Sequence, residues 1–444
     1  MSGRSDLLLE EPLHLPSSKP MAILIQHGRV VDPANGVDEV RDLLVVDGKI
    51  AEPSTPVPGS PVEKMDARGL VVCPGLIDMH VHLREPGRSD KETIESGTCA
   101  AARGGFTSVV CMPNTDPPAD NAGTVEYIKA RAREKGSVNV LPTGAITVGL
   151  KGEQMAEIGS LKSAGVVAVT DDGHCVQNNE IMRRAIEYAR MFELPVLDHC
   201  QDYPLSSEGV MNEGYWSMTL GLRGWPAIAE EIIVSRNCLL AEMCDWKVHM
   251  QHLSSTGSVR ILREARQRGA RVSGEVCPHH IALTDESLKA FDTNMKMNPP
   301  LRAQRDVDGL LQGITDGVIE ILASDHAPHC SFEKEVEFDD APFGIVGLET
   351  ELGIFLTKLV HGNVISLPRM IAMLTINPAK LLGLDRGTLS VGAPADITLL
   401  DPDREWRVDS AAFASLSRNT PFHGWSLKGK AVATIVGGRV VWQE

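Results

Sequence analysis

Gly75-Leu-Ile-Asp-Met-His-Val-His82 is an apolar run that ends on two imidazoles, His80 and His82. Four more runs end in the same way. Asp172 follows Gly165-Val-Val-Ala-Val-Thr170, His199 follows Leu194-Pro-Val-Leu-Asp198, His252 follows Lys247-Val-His-Met-Gln251, and Asp325 follows Val318-Ile-Glu-Ile-Leu-Ala-Ser324. A barrel of parallel strands gathers its strand ends at one mouth, so side chains far apart in sequence converge there. Four imidazoles and two carboxylates suit one or two divalent cations, zinc above all. The pattern points to metal-assisted hydrolysis.

Working outward, eight apolar strand candidates stand at 71–82, 106–112, 138–145, 166–171, 195–199, 247–252, 271–277 and 318–325. Helical patterns lie between them, as at 91–103, 124–135, 179–192, 226–244 and 258–268. This alternation predicts an α/β fold, a (β/α)8 TIM-type barrel, although an open doubly wound sheet shares the local pattern. From residue 21 to about 68, and again from about 387, short β-type runs alternate with turns. Both termini are therefore expected to form one small composite β-sandwich. The expected division is an extension at 1–20, sandwich strands at 21–73, the barrel at 74–386 and returning sandwich strands at 387–444.

The 444 residues carry a formal net charge of −16. An acidic surface argues against sequence-independent nucleic-acid binding, which needs basic side chains to neutralise phosphates. An anionic substrate stays open, because a few arginines inside a pocket override the global sign. The nine cysteines are scattered without a Cys-x-x-Cys pair, which reads as a reduced protein rather than a disulfide framework. No apolar run is long enough to span a membrane, and the first 20 residues lack the pattern of a signal peptide. A cytoplasmic protein is expected.

Each candidate ligand has a plainer reading. Residues i and i+2 of a strand face one side, so His80 and His82 can reach one cation, but a polar strand end has the same spelling. Asp172, in Thr170-Asp-Asp-Gly173, reads equally as a turn. His199 and His252 taken singly read as strand-end histidines, and Asp325 stands beside His326 and His329. Cys200 follows His199 directly and should face the other way, as packing. Cys277-Pro-His279-His280 resembles a metal cluster by composition, but reads as a strand end followed by a turn. The joint pattern carries the argument.

At Pro74-Gly-Leu-Ile-Asp-Met-His-Val-His-Leu-Arg-Glu-Pro-Gly87, Met112-Pro-Asn-Thr115, Asp171-Asp-Gly173, Asp198-His-Cys200, Gln251-His252, Asn298-Pro-Pro-Leu-Arg302, Ser324-Asp-His-Ala-Pro-His329 and Ala341-Pro-Phe-Gly344 the chain resembles a known family. It resembles class I dihydroorotases, of the cyclic-amidohydrolase branch of the amidohydrolase superfamily, over 23–441. The resemblance implies a β-domain beside a distorted (β/α)8 barrel. It implies one zinc on His80, His82 and Asp325, a second on His199 and His252, and Asp172 as the bridge. Related hydantoinases and allantoinases bridge with a carboxylated lysine, and 166–173 contains no lysine. Gln201 stands where this family usually has Glu, and the bulky segment 215–225 also departs from expectation.

The implied reaction is reversible closure of N-carbamoyl-L-aspartate to L-dihydroorotate, with Asp325 moving the proton. Arg84 suits the substrate carboxylate because a guanidinium grips both oxygens at once. The resemblance adds Asn114 and Asn298 as amide partners and His329 near the carboxylate. The charged stretch 330–342 reads as a mobile loop that closes over the site and brings the backbone of Pro342, Phe343 and Gly344 to the ring. A homodimer and a partnership with aspartate transcarbamoylase are further expectations. The competing readings are another cyclic amidohydrolase and a catalytically silent scaffold for that transcarbamoylase.

Overall fold

Gly75 breaks the strand expected at 71–82. In the computed structural model, which describes residues 22–57 and 62–444, Val71–Pro74 and Leu76–Val81 are separate strands in different sheets. A Cβ at position 75 would collide with the Thr107 side chain, so glycine alone lets the chain pass this close. The Gly75 N–H meanwhile donates to the Asp396 carbonyl at 2.8 Å. The expected extension at 1–20 lies outside the described residues.

Leu76–Val81 pairs in parallel with Phe106–Cys111, and that strand with Asn139–Pro142. Val196–Asp198, Val248–Met250, Val272–Val276 and Ile321–Leu322 form a second parallel set in that order. The segment 166–171 joins the two sets, since Val169 bridges Gly144 on one side and Val196 on the other. It is shorter as a paired strand than its apolar run predicts. Bonds from Val167 N to Pro142 O, Thr170 N to Gly144 O and Leu197 N to Val169 O hold it in register. His326 bridges Val81, which returns the pairing to the first strand. These strands are buried on both faces, which is why they read as continuous rather than alternating apolar runs.

Helices Ile94–Gly104, Ala122–Lys135, Asn179–Met191, Ile228–Cys244 and Thr256–Gln267 answer the five helical patterns. The first starts three residues later than its pattern because Thr93 caps it: its Oγ1 accepts from Ser96 N while Ser96 Oγ accepts from Thr93 N. That frees Lys91 and Glu92 to turn toward the interior, where both are buried. Among the described residues no helix is long and apolar enough to cross a membrane.

The terminal segments form two sheets. One orders Lys49–Ala51, Leu43–Val46, Ala22–Gln26 and Val62–Asp66. The other orders Arg439–Gln443, Ser426–Val436, Ile397–Arg407, Val71–Pro74, Arg29–Asp32 and Val37–Val40. N- and C-terminal segments are thus hydrogen-bonded neighbours, with Ile397 opposite Pro74 and Leu400 opposite Val71. A shared core of Ile23, Val30, Val45, Ile397 and Ile435 fills the space between the sheets. Residues 408–425 leave the second sheet: Val408, Phe413 and Phe422 pack with Met211, Leu301, Phe338 and Ile345.

Two segments without a functional reading find their place here. Tyr215–Leu220 is a helix, and Gly224–Trp225 pairs with Met211–Asn212. The Trp225 carbonyl accepts from the buried Arg302 guanidinium at 2.8 Å, and the Trp225 ring stands edge-on to Phe343 at 6.1 Å. Within the stretch 330–342, expected as a mobile loop, Ser331–Lys334 is a helical turn and Phe338 and Ala341 are buried. Two buried ammonium groups staple it down. Lys334 Nζ donates to Pro342 O at 2.7 Å and Thr293 O at 3.2 Å, and Lys296 Nζ to Phe338 O at 2.9 Å and Asp339 O at 2.8 Å.

Candidate active site

The ends of the parallel strands bring all six ligand-type side chains together, every one buried. Asp172 stands at the centre. Its Oδ1 lies 3.2 Å from His80 Nε2 and 3.7 Å from both His199 Nδ1 and His252 Nε2, and its Oδ2 lies 3.3 Å from His82 Nε2. Asp325 Oδ1 lies 3.1 Å from His82 Nε2 and 3.5 Å from His80 Nε2. His199 Nδ1 and His252 Nε2 are 2.8 Å apart. His252 and Asp325 hold left-handed backbone conformations, φ +32° and +51°, which non-glycine residues seldom adopt.

The far side of each ring decides which nitrogen faces inward. His80 Nδ1–H donates to Glu275 Oε1 at 2.7 Å, His82 Nδ1–H to Asn114 Oδ1 at 2.8 Å, and His199 Nε2–H to Gln201 Oε1 at 2.9 Å. A neutral imidazole has one donor and one acceptor, so with a cation in place of a second proton each inward nitrogen can present a lone pair. Gln201 therefore does the accepting that a carboxylate would do at this position.

These residues fit a divalent cation. His80 Nε2 and Asp172 Oδ1 are buried without a hydrogen-bond partner, a state that buried polar atoms seldom keep. The donors of His80, His82 and Asp325, and those of His80, Asp172 and His252, each lie within 4.8 Å of one another. Burial opposes charging His80, yet the carboxylates of Asp172, Asp325 and Glu275 hold it well above its ordinary value. Burial also opposes ionising Asp172 and Asp325, yet His80 above all holds both well below theirs. The cluster calls for positive charge that a cation supplies.

Glu275 is the residue that reading strand ends overlooks. Its two oxygens bond His80 Nδ1 and, at 3.0 Å, His249 Nε2. Against its burial, these two rings draw its carboxyl down to about 2. The available signal was a lone carboxylate inside the apolar run Val272–Val276. Glu275→Gln keeps the shape and removes the charge behind His80. It is expected to weaken cation affinity about 10- to 100-fold, read by competition with a chromophoric chelator.

A cavity of about 240 Å³ opens on the cluster, and Arg84, Asn114, Asn298, His329, Phe343 and Gly344 line it. Pro342 lies outside the lining, because its carbonyl turns away to Lys334. Arg84 has φ +59°, and its Nε donates to Pro328 O at 3.2 Å. Burial lowers it to about 10, so it stays cationic at neutral pH. Asn298 Nδ2 donates to Gln201 Oε1 at 3.2 Å, and its Oδ1 is buried without a partner. His329 reaches the cavity, but both its ring nitrogens are engaged by protein atoms, Nδ1 by Lys91 Nζ and Nε2 by Phe343 O.

Cys200 faces away from the cluster, with its Sγ against Asp198 and Asn237, as its position next to His199 predicts. Cys277, His279 and His280 also converge, their donor atoms within 4.8 Å, which a strand end and turn do not foretell. Pro278–Ala282 is a helical turn that folds the three side chains to one side.

Residues 69–258 match the family described as Dihydro-orotase-like, and residues 284–442 match the Amidohydrolase family. A dihydroorotase of Pelotomaculum thermopropionicum is 55% identical over 424 residues, covering 96% of this chain and 99% of the relative. One of Syntrophotalea carbinolica is 52% identical over 95% of this chain and 99% of the relative. Among solved structures, an L-hydantoinase of Arthrobacter aurescens aligns with a TM-score of 0.84 at 27% identity, covering 95% of this chain and 96% of its own. Identity at this level, along the whole of both chains, places the protein in the dihydroorotase family of amidohydrolases.

Proposed function

We propose that this protein is a dihydroorotase, closing N-carbamoyl-L-aspartate to L-dihydroorotate and reopening it in the step this reaction serves in pyrimidine biosynthesis, with zinc at its site. The observation that carries the reading is a guanidinium on the same cavity as the ligand cluster. Such a cavity suits a substrate that joins a hydrolysable ring amide to a carboxylate. We read the parallel strands of 74–386 as a (β/α)8 barrel and the terminal sheets, 21–73 and 387–444, as one composite sandwich.

His80, His82 and Asp325 would hold one zinc, and His199 and His252 a second, with Asp172 between them. When bound, zinc lowers the pKa of water from about 15.7 to about 7 and polarises a carbonyl oxygen. In the hydrolytic direction Asp325 accepts the proton of the attacking water and passes it to the departing ring nitrogen. Arg84 grips the substrate carboxylate with its free Nη groups. Asn298 Oδ1 accepts a ring N–H, and Asn114, oriented by His82, offers its Nδ2–H to the same carboxylate. The Phe343–Gly344 backbone closes the cavity opposite.

A hydantoinase reading rests on the resemblance in fold, but hydantoin has no carboxylate for Arg84. The purified protein is expected to open dihydroorotate, followed by ultraviolet absorbance, to lose that activity with chelator and to regain it with zinc. Preference for hydantoin or allantoin would overturn the substrate. Bound zinc without turnover would favour the scaffold reading, and co-elution with aspartate transcarbamoylase would then test it.

A further inference from the structure

His329 has two ring nitrogens, each with one protein partner within hydrogen-bond distance, while Glu333 Oε2 stands farther off, 3.7 Å from Nδ1. Lys91 Nζ lies 3.1 Å from Nδ1, and the Phe343 carbonyl oxygen lies 2.8 Å from Nε2. An ammonium group can only donate, and a carbonyl oxygen can only accept. Nδ1 must therefore carry the lone pair and Nε2 the proton. The other tautomer would set an N–H against the ammonium and a lone pair against the carbonyl.

We propose that Lys91 is a positioning residue: it fixes His329 as the Nε2–H tautomer, and His329 in turn holds the Phe343–Gly344 backbone as the wall of the substrate cavity. The inference rests on the dihydroorotase reading of that cavity and deepens it.

Three further observations support the relay. Lys91 is itself anchored, with Nζ 2.8 Å from Glu333 Oε1, and it is only 7% exposed. Burial first, then the cations Arg84, Lys334 and Lys91, drives the His329 ring down to about 2, so it stays neutral. The wall is also clamped from behind. Asn419 Oδ1 accepts from His329 N at 3.1 Å, while its Nδ2 donates to Ala327 O at 3.0 Å and Gly344 O at 3.2 Å. The backbone on both sides of the ring is thus fixed, which leaves the tautomer as the remaining variable.

The direct test is the ¹⁵N spectrum of histidine-labelled wild-type protein, with the His329 resonances assigned by their loss in His329→Gln. A pyrrole-type Nε2 with a pyridine-type Nδ1 is expected, and the reverse pattern would overturn the proposal. Lys91→Met is then expected to raise KM for dihydroorotate about tenfold or more, the scale of one charged hydrogen bond, while kcat changes much less. Lys91→Arg should recover most of that loss. An unchanged KM in Lys91→Met would also overturn the proposal. A wild-type protein inactive on dihydroorotate would defeat the substrate reading alone, since the tautomer is read without turnover.

Discussion

Asp325→Ala is expected to lower kcat/KM for dihydroorotate by about 10³-fold or more. The size follows from two tasks on one carboxylate. Asp325 Oδ1 lies 3.1 Å from His82 Nε2 and 3.5 Å from His80 Nε2, a spacing that fits one cation shared with both rings. The same group is the proton acceptor proposed for the attacking water. Asp325→Asn separates the two tasks, because an amide oxygen can still touch a cation but takes up no proton. Zinc content should therefore fall in the alanine variant and persist largely in the asparagine variant, with turnover lost in both. Measuring zinc per chain beside the initial rate checks this. Residual activity within about tenfold of wild type in Asp325→Asn would move the proton-accepting role elsewhere.

Arg84→Ala is expected to cost about 10²- to 10³-fold in kcat/KM, mostly through KM. The left-handed backbone at this position and the bond from Nε to Pro328 O fix the stem of the side chain and leave its Nη groups to the cavity. Removing the guanidinium leaves a desolvated substrate carboxylate without its partner. Arg84→Lys should restore only part of the loss, since a point charge cannot reproduce two parallel bonds. The control is a ring without the carboxylate, such as dihydrouracil. Any slow turnover of it by the wild type should be nearly insensitive to the change, and an equal loss on both rings would sink the assignment.

The six ligand-type residues were legible because each ends an apolar run, and strand ends of parallel sheets share a face. The helices were legible from their 3.6-residue period, with errors of a turn or less where a cap such as Thr93 set the boundary. Gly75 was not read as a break, because nothing local announces that two sheets part there; the close approach of Thr107 does. Glu275 was overlooked since it points inward from mid-strand and acts on His80 from behind. Nothing local marks Lys91, Lys296 and Lys334 as buried. Lys296 and Lys334 are held by backbone carbonyls, and Lys91 by the His329 ring and the Glu333 carboxylate, partners that no local pattern encodes.

The join between Val71–Pro74 and Ile397–Leu400 sets a schedule for the ribosome. Cys73 Sγ reaches Thr398 O across 325 positions of sequence. At about 5–20 residues per second, the first of these strands waits tens of seconds for the second to be made. During that interval Val71, Val72 and Cys73, all buried in the finished protein, have no neighbour on that edge. An unpaired apolar strand edge of this kind invites association with other chains, so the nascent protein is a natural client for chaperones. Asn419, which clamps the cavity wall, emerges later still. Activity should therefore appear only after the last strands are released, making turnover a reporter of complete synthesis.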